Sequence, residues 1–241
     1  MGYPGMEVKK EKTMSKIPSL LDLLKAGAHF GHQKSKRYPK MEPYIYTQRD
    51  NVDVFDLEKT QEKLKSALEF ITKVVEKGGT VLFVGTKRQA KAIVKKYADE
   101  ASSPYVIERW VGGTFTNFSN IIKLIKKLKE FEENKAKGEL QKYTKKEQLD
   151  FEREIERLNT LIGGIKNITK TPEAIFVIDL KNEKTALREA KKMKIPIIAL
   201  TDSNVNPKGV DYIIPGNDDA IKTIDLITSL IAQAVKEGRK K

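Results

Sequence analysis

The sequence predicts an α/β fold: a parallel sheet covered on both faces by helices, with an antiparallel coiled-coil helical hairpin inserted in it. Three observations predict this. Short, continuous apolar runs of strand type at residues 80–84, 174–178 and 195–200 alternate with helical stretches, and strands apolar on both faces belong in a covered parallel sheet. Residues 118–162 break that rhythm, with no strand signal and a density of Lys and Glu. Glycine pairs, Gly112 with Gly113 and Gly163 with Gly164, stand at the two roots of this insertion, where the chain must turn out of the sheet domain and back.

The elements follow in order. Residues 19–25 form a short amphipathic helix carrying Leu20, Leu21 and Leu24 and ended by Gly27. Residues 28–55 are expected to be irregular apart from a hairpin pairing 44–46 with 52–55. Asp56 caps a helix whose apolar positions Leu64, Ala67, Leu68, Ile71, Val74 and Val75 keep the helical period, and Gly78 and Gly79 stop it. Strand 80–84, helix 89–97 and a short strand at 105–107 open the alternation. Strand 174–178, helix 183–193, strand 195–200, strand 212–214 and helix 218–236 complete it.

Within the insertion, Ile121, Leu124, Ile125, Leu128 and Phe131 make one stripe, and Phe151, Ile155, Leu158 and Ile162 another. Two helices with narrow seams, joined near Gly138, read as a coiled-coil hairpin. The expected organisation is therefore a flexible extension over 1–16, the α/β domain over 17–117 and 163–236, the hairpin over 118–162, and a basic tail over 237–241.

Composition narrows the function. Among 241 residues, 46 Lys and Arg face 33 Asp and Glu, a formal charge of +13, which favours a polyanionic partner through counterion release. There is no cysteine, so disulfides and thiolate metal sites are excluded. No apolar run approaches the ~18 residues needed to span a bilayer. Glu7 and Glu11 among the N-terminal lysines are unlike a transit peptide. The cytoplasm is the expected location.

The densest candidate site is a segment in which cations alternate with rings: His29, Phe30, His32, Lys34, Lys36, Arg37, Tyr38, Lys40, Tyr44 and Tyr46. Such a mixture suits phosphate contact with base stacking. Lys87 and Arg88 follow strand 80–84 at the turn where doubly wound folds bind phosphate. That turn has one glycine and neither a dinucleotide fingerprint nor a Walker motif, and contact with backbone phosphate stands level there with plain solvent exposure. Arg109 beside the only tryptophan, Trp110, opens a cluster running through Thr116 and Asn117, either of which suits the N-cap of the next helix.

Three readings compete with RNA binding. Asp179 and Asp202 each end a strand, where they could hold Mg²⁺ or act in the acid–base chemistry of a nucleotide- or phosphoester-handling enzyme. They serve equally as helix and turn caps, and no nucleophile motif accompanies them. His29 and His32 offer half a zinc site without an evident third ligand. The hairpin could chiefly dock a protein.

Read in order, Ala26-Gly27 with His29-Phe30-Gly31-His32-Gln33, Pro39-Lys40-Met41, Pro43-Tyr44-Ile45-Tyr46, and Phe83-Val84-Gly85-Thr86-Lys87 form one set of motifs. Arg109-Trp110, Gly112-Gly113, Thr116-Asn117-Phe118, Gly163-Gly164-Ile165-Lys166 and Pro215-Gly216-Asn217-Asp218-Asp219-Ala220 continue it. Over residues 17–236 the chain resembles the bacterial form of ribosomal protein two of the small subunit. Arg37 and Tyr38 stand where that family often has Trp and Asn, Glu42 replaces a common basic residue, and Val205 a common Cys. The resemblance implies a flavodoxin-like sheet with a coiled-coil hairpin, binding small-subunit rRNA beside neighbouring ribosomal proteins. It also implies help in docking the large mRNA-binding ribosomal protein one. It implies no catalysis and no required cofactor, and no metal site, membrane or small-molecule substrate is expected.

Overall fold

The computed structural model describes residues 17–240, so the extension expected over 1–16 lies outside the described residues. The described chain opens with α1 (Leu20–Ala26), whose Ser19 and Asp22 close a reciprocal capping box, with Gly27 in the left-handed conformation ending it. Three strands follow: β1 (Phe30–Gln33), β2 (Ile45–Arg49) and β3 (Val52–Phe55). They form an antiparallel sheet in the order β1-β3-β2. The expectation of irregular chain over 28–55 is corrected here: β2 and β3 make the anticipated hairpin, and β1 adds a strand to it. Asp50 and Asn51 both take positive φ (49° and 61°), the geometry of the two-residue turn whose twist matches the strands it joins.

Asp56 accepts the amides of Glu58 and Lys59 and starts α2 (Leu57–Glu76). The larger sheet then takes β4 (Val81–Val84), β5 (Tyr105–Val106), β6 (Ala174–Ile178), β7 (Ile197–Thr201) and β8 (Tyr212–Pro215), all parallel, in the order β5-β4-β6-β7-β8. Counted from the first strand of this sheet, that order is 2-1-3-4-5, the flavodoxin-like arrangement. The remaining helices are α3 (Lys91–Glu100), α4 (Phe118–Ala136), α5 (Lys145–Ile162), α6 (Lys184–Lys192) and α7 (Ile221–Arg239). The last runs past its expected end at 236, and the Arg239 guanidinium donates to the carbonyls of Ala101 and Ser102.

Strand alternation divides the interior into two cores. Val81, Phe83, Phe176, Ile178, Ile198 and Leu200 face α2, α3 and α7, and share one core with Leu64, Ile71, Val94, Ile224 and Ile231. Leu82, Val84, Ile175, Val177, Ile197 and Ala199 face the other way. They share a core with Ala186 and Ala190 of α6, and with Ile121, Ile125 and Leu128 of α4 and Ile155, Leu158 and Ile162 of α5. The root halves of α4 and α5 thus belong to the layer covering the second face of the sheet. Towards the tip a separate ring cluster holds them, with Phe131 and Tyr143 each edge-on to Phe151.

The glycines at the roots play different parts. Gly113 has φ 91°, a conformation open to glycine at little cost. Gly164 turns nothing sharply; it lies against Tyr105, where an added Cβ would collide with the Tyr105 carbonyl and ring.

Candidate nucleic-acid interface and the carboxyl edge of the sheet

The ring-and-cation segment is built on two short 3-10 turns, Lys34–Lys36 and Pro39–Tyr44, between β1 and β2. Main-chain bonds fasten it to the turn after β7. The His32 amide donates to the Ser203 hydroxyl (2.9 Å), and the Tyr38 amide to the Ser203 carbonyl (2.8 Å). Met41, fully buried, anchors the second turn from below. With the backbone held, Lys34, Lys36 and Lys40 point to solvent, and none forms an ion pair with a described residue. Arg37 behaves differently: its guanidinium lies 3.7 Å from the fully buried carboxylate of Asp53, which also accepts from the Gln48 amide. Tyr38 and Tyr44 are half-buried, whereas Tyr46 stands 76% exposed.

The carboxyl edge of the larger sheet, where flavodoxin-like folds admit a ligand at the point of strand-order reversal, is crowded with acid. The Thr86 hydroxyl donates to Glu183 at 2.5 Å. The Lys87 ammonium sits 2.6 Å from Asp218 and 2.7 Å from Asp219. Lys87 is thus turned inward, and although burial opposes its charge, those two carboxylates raise its pKa. Burial, with Asp202 and Asp179 nearby, pushes Asp218 up to about 7 against the pull of Lys87. Burial also raises Glu183, against its bond from Thr86. Asp179, left-handed at φ 67°, accepts the Lys181 amide and the Asn182 side chain, the local capping role anticipated as one alternative.

His32 joins the two regions. Its Nδ1 lies 3.0 Å from Asp202 and its Nε2 3.6 Å from Asp219. The hydrogen bond to Asp202 outweighs burial and raises its pKa. His29 does not share this cluster; its ring lies against Phe30, and burial lowers its pKa.

The loop after β5 is organised by a residue that sequence reasoning did not single out. Glu189 of α6 accepts from Trp110 Nε1 (3.3 Å) and from the amides of Gly113 (2.7 Å), Phe115 (3.0 Å) and Thr116 (3.3 Å). Burial works against its charge, but these donors prevail and lower its pKa. Asn117 occupies the cap position of α4 without a capping bond, and the Thr116 hydroxyl goes to Glu189 instead. Arg109 remains exposed beside a groove it shares with Thr86 and Glu183, and Arg88 is exposed on the neighbouring turn.

The edge is lined by Asp179, Glu183, Asp202, Asp218 and Asp219, and its Lys87 is already paired with the last two. Fold and site together define a flavodoxin-like domain whose ligand crevice has been given over to internal ion pairs: a scaffold. The family model described as Ribosomal protein S2 matches residues 23–238. Proteins called small ribosomal subunit protein uS2 are similar throughout. That of Desulfatibacillum aliphaticivorans is 47% identical over 92% of this chain and 76% of its own length. That of Roseiflexus castenholzii is 47% identical over 94% of this chain and 86% of its own. The chain belongs to the ribosomal protein S2 family, and its place is structural, in the small ribosomal subunit, rather than catalytic. No helix among the described residues is long and apolar enough to cross a membrane.

Proposed function

We propose that the chain binds small-subunit rRNA through the segment around Lys34, Lys36 and Lys40, extended by Arg88 and Arg109, in the cytoplasm. The observation that carries this reading is the contrast between cations. Those three lysines are exposed, lack an acidic partner among the described residues and stand together among rings, whereas on α4 and α5 Lys127, Lys135, Arg153 and Arg157 are paired with acid across the helices or along them. Lys127 and Arg157 meet Glu154, Lys135 meets Glu152, and Arg153 meets Asp150. Unpaired ammonium groups release counterions on meeting phosphate; paired ones must first give up a carboxylate. Tyr38, Tyr44 and Tyr46 supply rings for stacking, His32 and Arg37 set the segment's position, and Thr116 and Asn117 present a second edge at the root of α4. Lys87 contributes as an internal tie rather than as a contact.

The same contrast supports a protein partner for α4 and α5, with the large mRNA-binding ribosomal protein one as the partner we propose. Sedimentation tests both readings. Small subunits stripped of this protein are expected to take up the wild type, and to take up a variant with α4 and α5 shortened at the Phe131–Phe151 tip. That shortened variant is expected to retain less protein one. Lys34→Gln, Lys36→Gln and Lys40→Gln together are expected to abolish uptake at moderate salt. Full uptake of the triple variant contradicts the RNA assignment, and unchanged retention of protein one by the shortened variant contradicts the docking assignment.

A further inference from the structure

Between α6 and the loop after β7 lies a groove of about 570 Å³ that shares no residue with the rRNA-binding segment. Lys181, Lys184, Arg188, Lys191 and Lys208 stand around it, all exposed, and no carboxylate among the described residues lines it. None of the five forms an ion pair with a described residue. A lone exposed lysine is simply solvated, but two features of this set cost the fold something. Lys184, Arg188 and Lys191 follow at spacings of four and three, which puts three like charges on one face of a short helix. Lys184 also opens that helix, in a first turn without an acidic residue, against the positive end of the helix dipole. An anion in the groove relieves both.

The walls are fixed by the chain itself. The stem of Lys191 lies across Gly209, where an added Cβ would collide with it, and its ammonium donates to the Lys208 carbonyl (2.8 Å). The Asn206 side chain accepts the Lys208 amide (3.0 Å). These bonds tie the loop after β7 to α6, so the groove keeps its form without an occupant, which lowers the cost of binding one. Its floor is aliphatic: Leu180 and Val205 are buried, and Leu187 is half-buried between the cations. No aromatic ring lines it, unlike the segment carrying Tyr38, Tyr44 and Tyr46, so it lacks the stacking platform that single-stranded RNA uses. A cationic rim over an aliphatic floor is complementary to a protein segment that mixes carboxylates with aliphatic side chains. We infer that this groove docks an acidic, aliphatic-bearing segment of a partner protein. Lys184 and Arg188 meet its carboxylates and Leu187 its apolar side chain.

The test uses full-length protein and a fluorescein-labelled peptide repeating two glutamates and a leucine, followed by fluorescence anisotropy at moderate salt. The same peptide with serine in place of leucine, and polyuridylate, are the comparisons. The leucine peptide is expected to bind, and more tightly than the serine peptide. Lys184→Gln with Arg188→Gln, both exposed, is expected to weaken it about tenfold or more while leaving polyuridylate binding unchanged. The Lys34→Gln, Lys36→Gln and Lys40→Gln triple variant is expected to do the reverse, so the rRNA assignment and this one fail separately. Absence of peptide binding by the wild type overturns the inference, as does wild-type affinity in the double variant. Equal binding of the serine peptide overturns it by reducing the groove to charge alone. Loss of polyuridylate binding in the double variant overturns it by making the groove a nucleic-acid contact.

Discussion

At Glu189 a single carboxylate gathers three backbone amides, the Trp110 indole and the Thr116 hydroxyl, and so fixes the path of the chain from β5 into α4. Bonds to a charged acceptor are each worth about 1.5–3 kcal/mol, and removal of the acceptor strands buried donors. Glu189→Ala is expected to cost about 3 kcal/mol in urea unfolding, with Glu189→Gln intermediate. A loss below about 0.5 kcal/mol would show the loop to be held by its apolar contacts alone. Because the folded pKa of Glu189 is depressed, its contribution is complete above the ordinary carboxylate range and is lost as pH falls through the folded value. As pH falls below the ordinary carboxylate range the wild type should therefore lose more stability than Glu189→Gln, which has no proton to take up there. None of this was legible in the sequence. Glu189 stands among Ala190, Lys191 and Lys192 on a helix that reads as a solvated face, and its partners lie more than 70 positions away. Lys87 shows the same limit: the sequence left phosphate contact level with solvent exposure, and its pairing with Asp218 and Asp219, which arrive from the far end of the chain, was not legible.

At the scale of elements, what could be read depended on how deeply each element is buried. Strands β4, β6 and β7 are buried at every position and announced themselves as unbroken apolar runs. Helix α2 was legible from its Asp56 cap and its period. Strand β1 was not, because Phe30-Gly31-His32-Gln33 carries no buried residue and no alternation. The Asp50-Asn51 pair was the one local signal for the geometry of its neighbouring hairpin. The narrow stripes of α4 and α5 suggested helices packed on each other only, yet their root halves enter the sheet's second core. Leu128→Ala, at a fully buried position, is thus expected to cost about 3 kcal/mol, while Leu149→Ala, 46% exposed near the tip, should change stability by less than about 0.5 kcal/mol. Gly164→Ala should cost about 2–3 kcal/mol, since the Tyr105 backbone cannot move aside without shifting β5. Equal effects of Leu128→Ala and Leu149→Ala would mean that the arm is energetically separate from the sheet.

At the scale of the molecule, the charge surplus of +13 is unevenly placed. Residues 118–162 carry nearly balanced acid and base, so the excess lies in the α/β portion and its termini. The sheet order is that of a class that usually binds nucleotides, and at its carboxyl edge acid is paired internally with Lys87. Strand order was foreseeable from the alternation of elements and the family resemblance; the anionic edge was not, because it is assembled from three separate stretches of chain. The proposed contact with a polyanion lies on the outward surface of the 3-10 turns, with the exposed Arg88 and Arg109 beside it. The most direct measurement is the salt dependence of binding to small-subunit rRNA. Each phosphate contact contributes about 0.7–0.9 to the slope of log K against log salt. Neutralising Lys34, Lys36 and Lys40 together is expected to flatten that slope by about 2–3, with the fold intact by circular dichroism. A triple variant with the wild-type slope would contradict the account.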